Sequence, residues 1–149
     1  MKKILYILTA AIFLLTSCDK QLKFPEKIIG NWYCHSTALT STDVEIYVTF
    51  NSDSFVLYQK VGDGGYRIYN GTYTLTPSNG SYILSGEYND GTPWGSDYVV
   101  ESSSNNVMTL TAGEVTETYT RVTTDIPENV KNNAVLVVKS EDTDDLRFF

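Results

Sequence analysis

Histidine is almost absent from this chain, and cysteine is too rare to build a framework. One His and two Cys among 149 residues leave any metal centre dependent on carboxylates brought from elsewhere. His35, next to Cys34 on the opposite strand face, is read as a surface or half-buried residue, so neither a metal site nor a cofactor is expected. Cations are scarce as well: 11 Lys and Arg stand against 18 Asp and Glu, a net charge of −7. Protein–nucleic acid affinity rests on neutralising phosphates, and so few dispersed cations exclude nucleic acid as a partner. Long apolar runs are also lacking. The one run that stands out, residues 4–15, is too short for a permanent membrane-spanning helix and has the length of a secretory h-region.

Lys2 and Lys3 precede that run, and Leu15-Thr16-Ser17-Cys18 closes it. A leucine three residues before a cysteine, with small residues between, resembles the lipobox of bacterial lipoproteins. The resemblance implies cleavage between Ser17 and Cys18, diacylation of the Cys18 sulfur and acylation of its new amine. Such an anchor exceeds the two signals that stable attachment needs. The expected location is the cell envelope, lipid-anchored in the outer membrane on its periplasmic or surface face. Loss of the signal leaves 132 residues and, without Lys2 and Lys3, a net charge of −9. That length suits one domain with a real core. Cys34 is then without a disulfide partner, so packing alone must hold the domain. Acidity also argues against electrostatic contact with anionic lipid, leaving the acyl anchor to do the holding.

Past a tether at 18–27, including one helical turn around Pro25, the hydrophobic period is two. Val44, Ile46, Val48 and Phe50 alternate with polar neighbours and must share a buried strand face. Strands are expected over 32–37, 44–50, 55–60, 66–75, 82–88, 97–101, 107–111 and 115–122. Turn chemistry separates them at 51–53, 62–65, 77–80, 89–93, 102–106 and 112–113. Connections so short make consecutive strands antiparallel neighbours, a meander. The apolar parity slips between Ile68 and Tyr73, which reads as a bulge at Asn70-Gly71. Asp125, with Glu128 three residues on, is an expected N-cap for a short helix to about Asn133. Residues 134–138 are too apolar to stay wet and should pack on the barrel or add a strand. An acidic tail begins near Glu141, with Phe148 and Phe149 either loose or docked.

Eight such strands form a sandwich or a closed barrel, and pattern alone leaves both open. Gly30-Asn31-Trp32 before the first strand resembles the Gly-x-Trp signature of the lipocalin and calycin barrels. Arg121, on the last strand, stands where those families place an arginine across the tryptophan, so Gly30, Trp32 and Arg121 are expected as a structural staple worth about 0.5–2 kcal/mol in its cation–π contact. The resemblance spans residues 28–124, and the whole chain looks like the lipocalin-like lipoproteins common in Bacteroidetes. It implies an all-β, eight-stranded antiparallel up-and-down barrel, with residues 125–149 as a C-terminal helix or strand extension and tail. The brief stretch 38–41, where lipocalins carry a long first loop, implies a narrow cavity.

Tyr73, Tyr82, Tyr88, Tyr98 and Tyr119 fall on the inward faces, where they either fill the core or line a small cavity. Glu117 shares the face of Val115, Tyr119 and Arg121, so it is either paired inside or faces a ligand. Glu87 and Glu101 alternate as solvent-face residues do, and an acid pair in a cleft for glycoside chemistry is not expected. Two functions remain. In one, the barrel is non-catalytic and binds a small apolar or amphipathic molecule through Tyr73, Tyr82, Tyr98, Glu117 and Tyr119, with Trp94 as lid. In the other, it is an interaction module, an inhibitor, assembly factor or glycan binder, that docks through the 89–95 loop with Trp94 exposed at its tip.

Overall fold

The structure, a computed structural model, describes residues 26–37, 42–138 and 147–149; the lipobox, the tether up to residue 25 and the acidic stretch 139–146 lie outside them. Eight strands wind up and down: β1 (Gly30–Ser36), β2 (Val44–Phe50), β3 (Ser54–Val61), β4 (Arg67–Ser78), β5 (Ser81–Tyr88), β6 (Tyr98–Ser104), β7 (Val107–Ala112) and β8 (Val115–Val122). Each pairs antiparallel with the next. The barrel closes where β1 meets β8, at Asn31↔Val122, Trp32↔Arg121 and Tyr33↔Thr120. Closure pairs every strand on both sides and removes the edges that would otherwise template aggregation. The fold expectation is borne out. A short helix, α1 (Glu128–Asn133), and a two-residue strand, β9 (Val135–Leu136), follow the barrel.

Period-two alternation carries the core inward. On β2, Val44, Ile46, Val48 and Phe50 are buried while their neighbours are not. The partner strands add Trp32 and Cys34 from β1, Phe55 and Leu57 from β3, Tyr69 and Tyr73 from β4, and Leu84 and Tyr88 from β5. Gln59 continues the inward row of β3 and is buried too.

Four local expectations need correction. No bulge interrupts β4 at Asn70-Gly71, where the register with β3 runs evenly through Val56↔Asn70 and Phe55↔Gly71. The parity slips because Tyr69, not Ile68, points inward, and Gly71 is glycine because a Cβ there would sit 2.0 Å from the Glu87 carbonyl oxygen. The irregularity lies instead in β6, between Ser102 and Ser104. The turn expected over 77–80 shrinks to Asn79-Gly80, both at positive φ (46° and 85°), the geometry of a two-residue hairpin. Pro77 stays in the strand opposite Tyr82, at a non-hydrogen-bonded position of the ladder where a missing N–H is tolerated.

After the barrel, Asp125 does not cap α1. Its carboxylate accepts the Ile126 N–H at 2.8 Å and pairs with Lys131 at 2.7 Å, while Pro127 holds the N-cap position without a side-chain bond. The strand expected as one outcome for residues 134–138 is added as β9, parallel to the start of β4 at Arg67↔Val135 and Ile68↔Leu136; what needs correction is its burial. Val135, Leu136 and Val138 are exposed nonetheless, so the apolar stretch stays largely in solvent and only Val137 packs against the core.

Candidate functional site

One end of the barrel is closed by the staple. The Arg121 guanidinium lies 4.2 Å from the Trp32 ring centre and donates to three carbonyls, Asn105 at 2.6 Å, Ile29 at 2.8 Å and Lys27 at 2.6 Å. Trp32 Nε1 donates to the Ile28 carbonyl at 2.7 Å. Gly30 sits at φ +128°, and a Cβ there would lie 2.4 Å from Arg121 Nη1. The backbone angle calls for glycine, and a side chain there would also push the Arg121 guanidinium aside.

The opposite half of the interior holds a guest from this same chain. Arg147, Phe148 and Phe149 come from beyond the eight strands, and the two phenylalanines are buried among the barrel side chains. Phe149 stacks on Trp94, centroids 4.3 Å apart and planes 20° off parallel. Phe50, Phe55, Tyr98 and Phe148 meet its ring from other sides. Phe148 packs edge-on to Tyr119 at 6.4 Å.

Polar groups of the wall hold the backbone of this segment. The Phe148 N–H donates to Gln59 Oε1 at 2.8 Å. The Tyr98 and Tyr88 hydroxyls donate to the main-chain oxygens of Phe148 and Phe149 at 3.3 and 3.0 Å. Nearer the mouth, both carboxylate oxygens of Asp90 receive the Arg147 guanidinium, at 3.3 and 2.7 Å, and that guanidinium lies 4.6 and 5.7 Å from the ring centres of Tyr88 and Tyr69. The two side chains are only 10% and 13% exposed. The guanidinium hydrogen bond holds the Asp90 carboxyl well below the usual carboxylate range. A cavity of about 160 Å³ remains beside Arg147, bounded by Tyr69, Asn70, Asp90 and Val137.

Docking of the segment is finely balanced. Burying two phenylalanine side chains contributes about 3–6 kcal/mol, and ordering three residues costs about 3–6 kcal/mol in backbone entropy. The wall's hydrogen bonds and the Asp90 pair therefore decide the balance.

The residues expected to line a ligand site are dispersed. Tyr98 and Tyr119 face the guest. Trp94 does too, with its residue 7% exposed, because Pro93 bridges back to Glu87 and the Trp94 N–H donates to the Gly86 carbonyl, folding the loop inward. Gly86 makes room: a Cβ there would be 2.6 Å from the indole. Of the two placements left open for Trp94, a lid over the mouth or an exposed loop tip, the exposed tip is excluded. Tyr73 points toward the β2–β3 turn, with its hydroxyl on the Asn51 carbonyl and its ring on Phe50. Tyr82 is half-buried opposite Val100, two residues before Leu84 on β5.

Glu117 belongs to a separate interior cluster. It accepts the Ser36 hydroxyl, and Cys34 Sγ lies 3.7 Å from its other oxygen. Burial and that neighbouring carboxylate push the Cys34 thiol up to about 12, the opposite of an activated nucleophile. Desolvation likewise pushes Tyr98 up to about 12 and holds the Tyr119 hydroxyl well above its ordinary value. His35 faces solvent 3.7 Å from Asp43, and no cluster of three metal-ligating side chains occurs among the described residues. Neither a family model, nor a curated protein, nor a solved structure matches the chain.

Sequence reasoning missed Gln59, Asp90 and Arg147 as parts of the site and left Phe148 and Phe149 open between loose and docked; they are docked. Gln59 was detectable, since it falls in phase with Phe55 and Leu57. Asp90 looked like turn chemistry, which it also supplies by accepting the Thr92 N–H at 3.0 Å. The Phe pair after an acidic stretch carried no periodic signal.

Proposed function

We propose that this protein is a lipid-anchored envelope lipoprotein whose lipocalin-like barrel is a non-catalytic receptacle for a small amphipathic molecule. The observation that carries the reading is the Phe148–Phe149 pair seated inside the barrel. An eight-stranded barrel is just wide enough to be filled or to hold one small guest. Here aromatic side chains from outside the eight strands supply part of the filling. Aromatic walls with hydroxyl and amide tips are the composition of a pocket for a molecule with both apolar and polar parts. The staple at the far end favours loading from the Asp90 side. The docking alternative drew its support from an exposed Trp94, and that residue is buried.

The anchor and the receptacle are tested together on protein purified from its own cells. The wild-type chain should partition into detergent and a Cys18→Ala variant should not. Native mass spectrometry should find a small-molecule adduct on the barrel, or a dansylated amphipathic amine should bind it saturably. Absence of both adduct and probe binding would end the receptacle reading, and detergent partitioning of Cys18→Ala would end the lipoprotein reading.

A further inference from the structure

Building on the receptacle reading, we propose that the cavity is a peptide site, taking an extended segment in which a cation precedes two aromatic residues, and that Arg147–Phe149 is its resident competitor.

The wall recognises peptide chemistry in particular. Gln59 accepts a backbone N–H and the Tyr98 and Tyr88 hydroxyls donate to two successive main-chain oxygens. A hydrocarbon guest would forfeit all three bonds, and buried polar groups are costly to leave unpaired. Side-chain selection follows the same row. Asp90, with the faces of Tyr88 and Tyr69, receives a guanidinium, and the Trp94, Phe55 and Phe50 rings receive an aromatic one. The chain's acidity, a net charge of −7, draws cationic guests to the mouth.

The resident segment fits incompletely. The Trp94 Nε1–H and the Tyr119 hydroxyl, on side chains whose rings meet Phe149 and Phe148, are buried without a hydrogen-bond partner. Asn70 Oδ1, in a residue lining the adjoining cavity, is also buried and unpartnered. A guest bearing acceptors toward the indole and the phenol and a donor toward Asn70 would satisfy what the resident leaves open. Such a peptide would compete with the resident segment for the same wall.

The test uses the full chain and the tetrapeptide Leu-Arg-Phe-Phe carrying a fluorophore on its amine, read by anisotropy. In wild-type protein the resident competes, so binding should be weak. Phe148→Ala with Phe149→Ala should raise affinity at least tenfold, and adding Asp90→Ala should reverse most of that gain. Should the double variant fail to fold, Arg147→Glu substitutes for it: it keeps both rings, sets a carboxylate against Asp90, and should raise affinity in the same direction. Leu-Asp-Phe-Phe should bind at least tenfold more weakly than Leu-Arg-Phe-Phe. If a dansylated fatty acid binds the folded variant and the peptides do not, the peptide assignment falls and the receptacle reading stands. If none of these probes binds it, both fall.

Discussion

Removing Arg121 should uncouple the closed end of the barrel, and the geometry sets how much. Its guanidinium makes three hydrogen bonds to carbonyls and lies 4.2 Å from the Trp32 ring centre. Bonds to a charged donor are each worth about 1.5–3 kcal/mol when buried. Two of these three sit at exposed positions, where screening reduces them to well under about 1 kcal/mol each. With a cation–π contribution of about 1–2 kcal/mol, Arg121→Ala should cost about 3–4 kcal/mol. Trp32 is 1% exposed, so Trp32→Leu should cost about 3 kcal/mol in lost packing and in the orphaned Ile28 carbonyl. The double variant should cost about 1–2 kcal/mol less than the sum, because the cation–π contact is lost only once. Urea denaturation followed by far-UV circular dichroism measures all four corners of the cycle, provided the m-value stays constant. Additivity within about 0.3 kcal/mol would refute the reasoning, since it would mean that the guanidinium holds the three carbonyls without sensing the indole.

Cys34 should resist iodoacetamide at pH 8 in the folded protein and react promptly in guanidinium chloride. Its folded value of about 12 lies above the unfolded value near 8.5, so its contribution to stability is complete below about pH 8 and is lost as pH rises toward 12; rapid native alkylation at pH 8 would contradict this. The Arg147–Asp90 pair should persist through mild acid. Asp90 is depressed in the folded state, so its contribution is complete above the unfolded value of about 3.9 and fades only as pH falls below it. The Phe148 amide, bonded to Gln59, should therefore keep its NMR shift from pH 7 to 5 and move only at lower pH, whereas a transition near pH 6 would assign the switch to another group.

Much of the architecture was written locally. The alternation of Val44, Ile46, Val48 and Phe50 specified which face of that strand is buried, and every one of the eight expected strands overlaps an observed one, because period-two patterning reports burial without knowledge of the partner. Gly30, Trp32 and Arg121 were likewise recognisable, although Trp32 and Arg121 meet only because β1 and β8, at opposite ends of the barrel sequence, close on each other. Tertiary structure decided the rest. Asn70-Gly71 looked like a bulge until the close approach of Glu87 and Phe55 explained the glycine. Whether Trp94 was a lid or an exposed tip stayed open until Pro93 bridged back to Glu87 and carried the indole inside. The choice between loose and docked for Phe148 and Phe149 depended on whether a distant interior had space and matching donors, and no local pattern encodes an interior. Periodicity determines which side chains a strand turns inward; only the closed barrel determines what room remains there, and which part of the chain fills it.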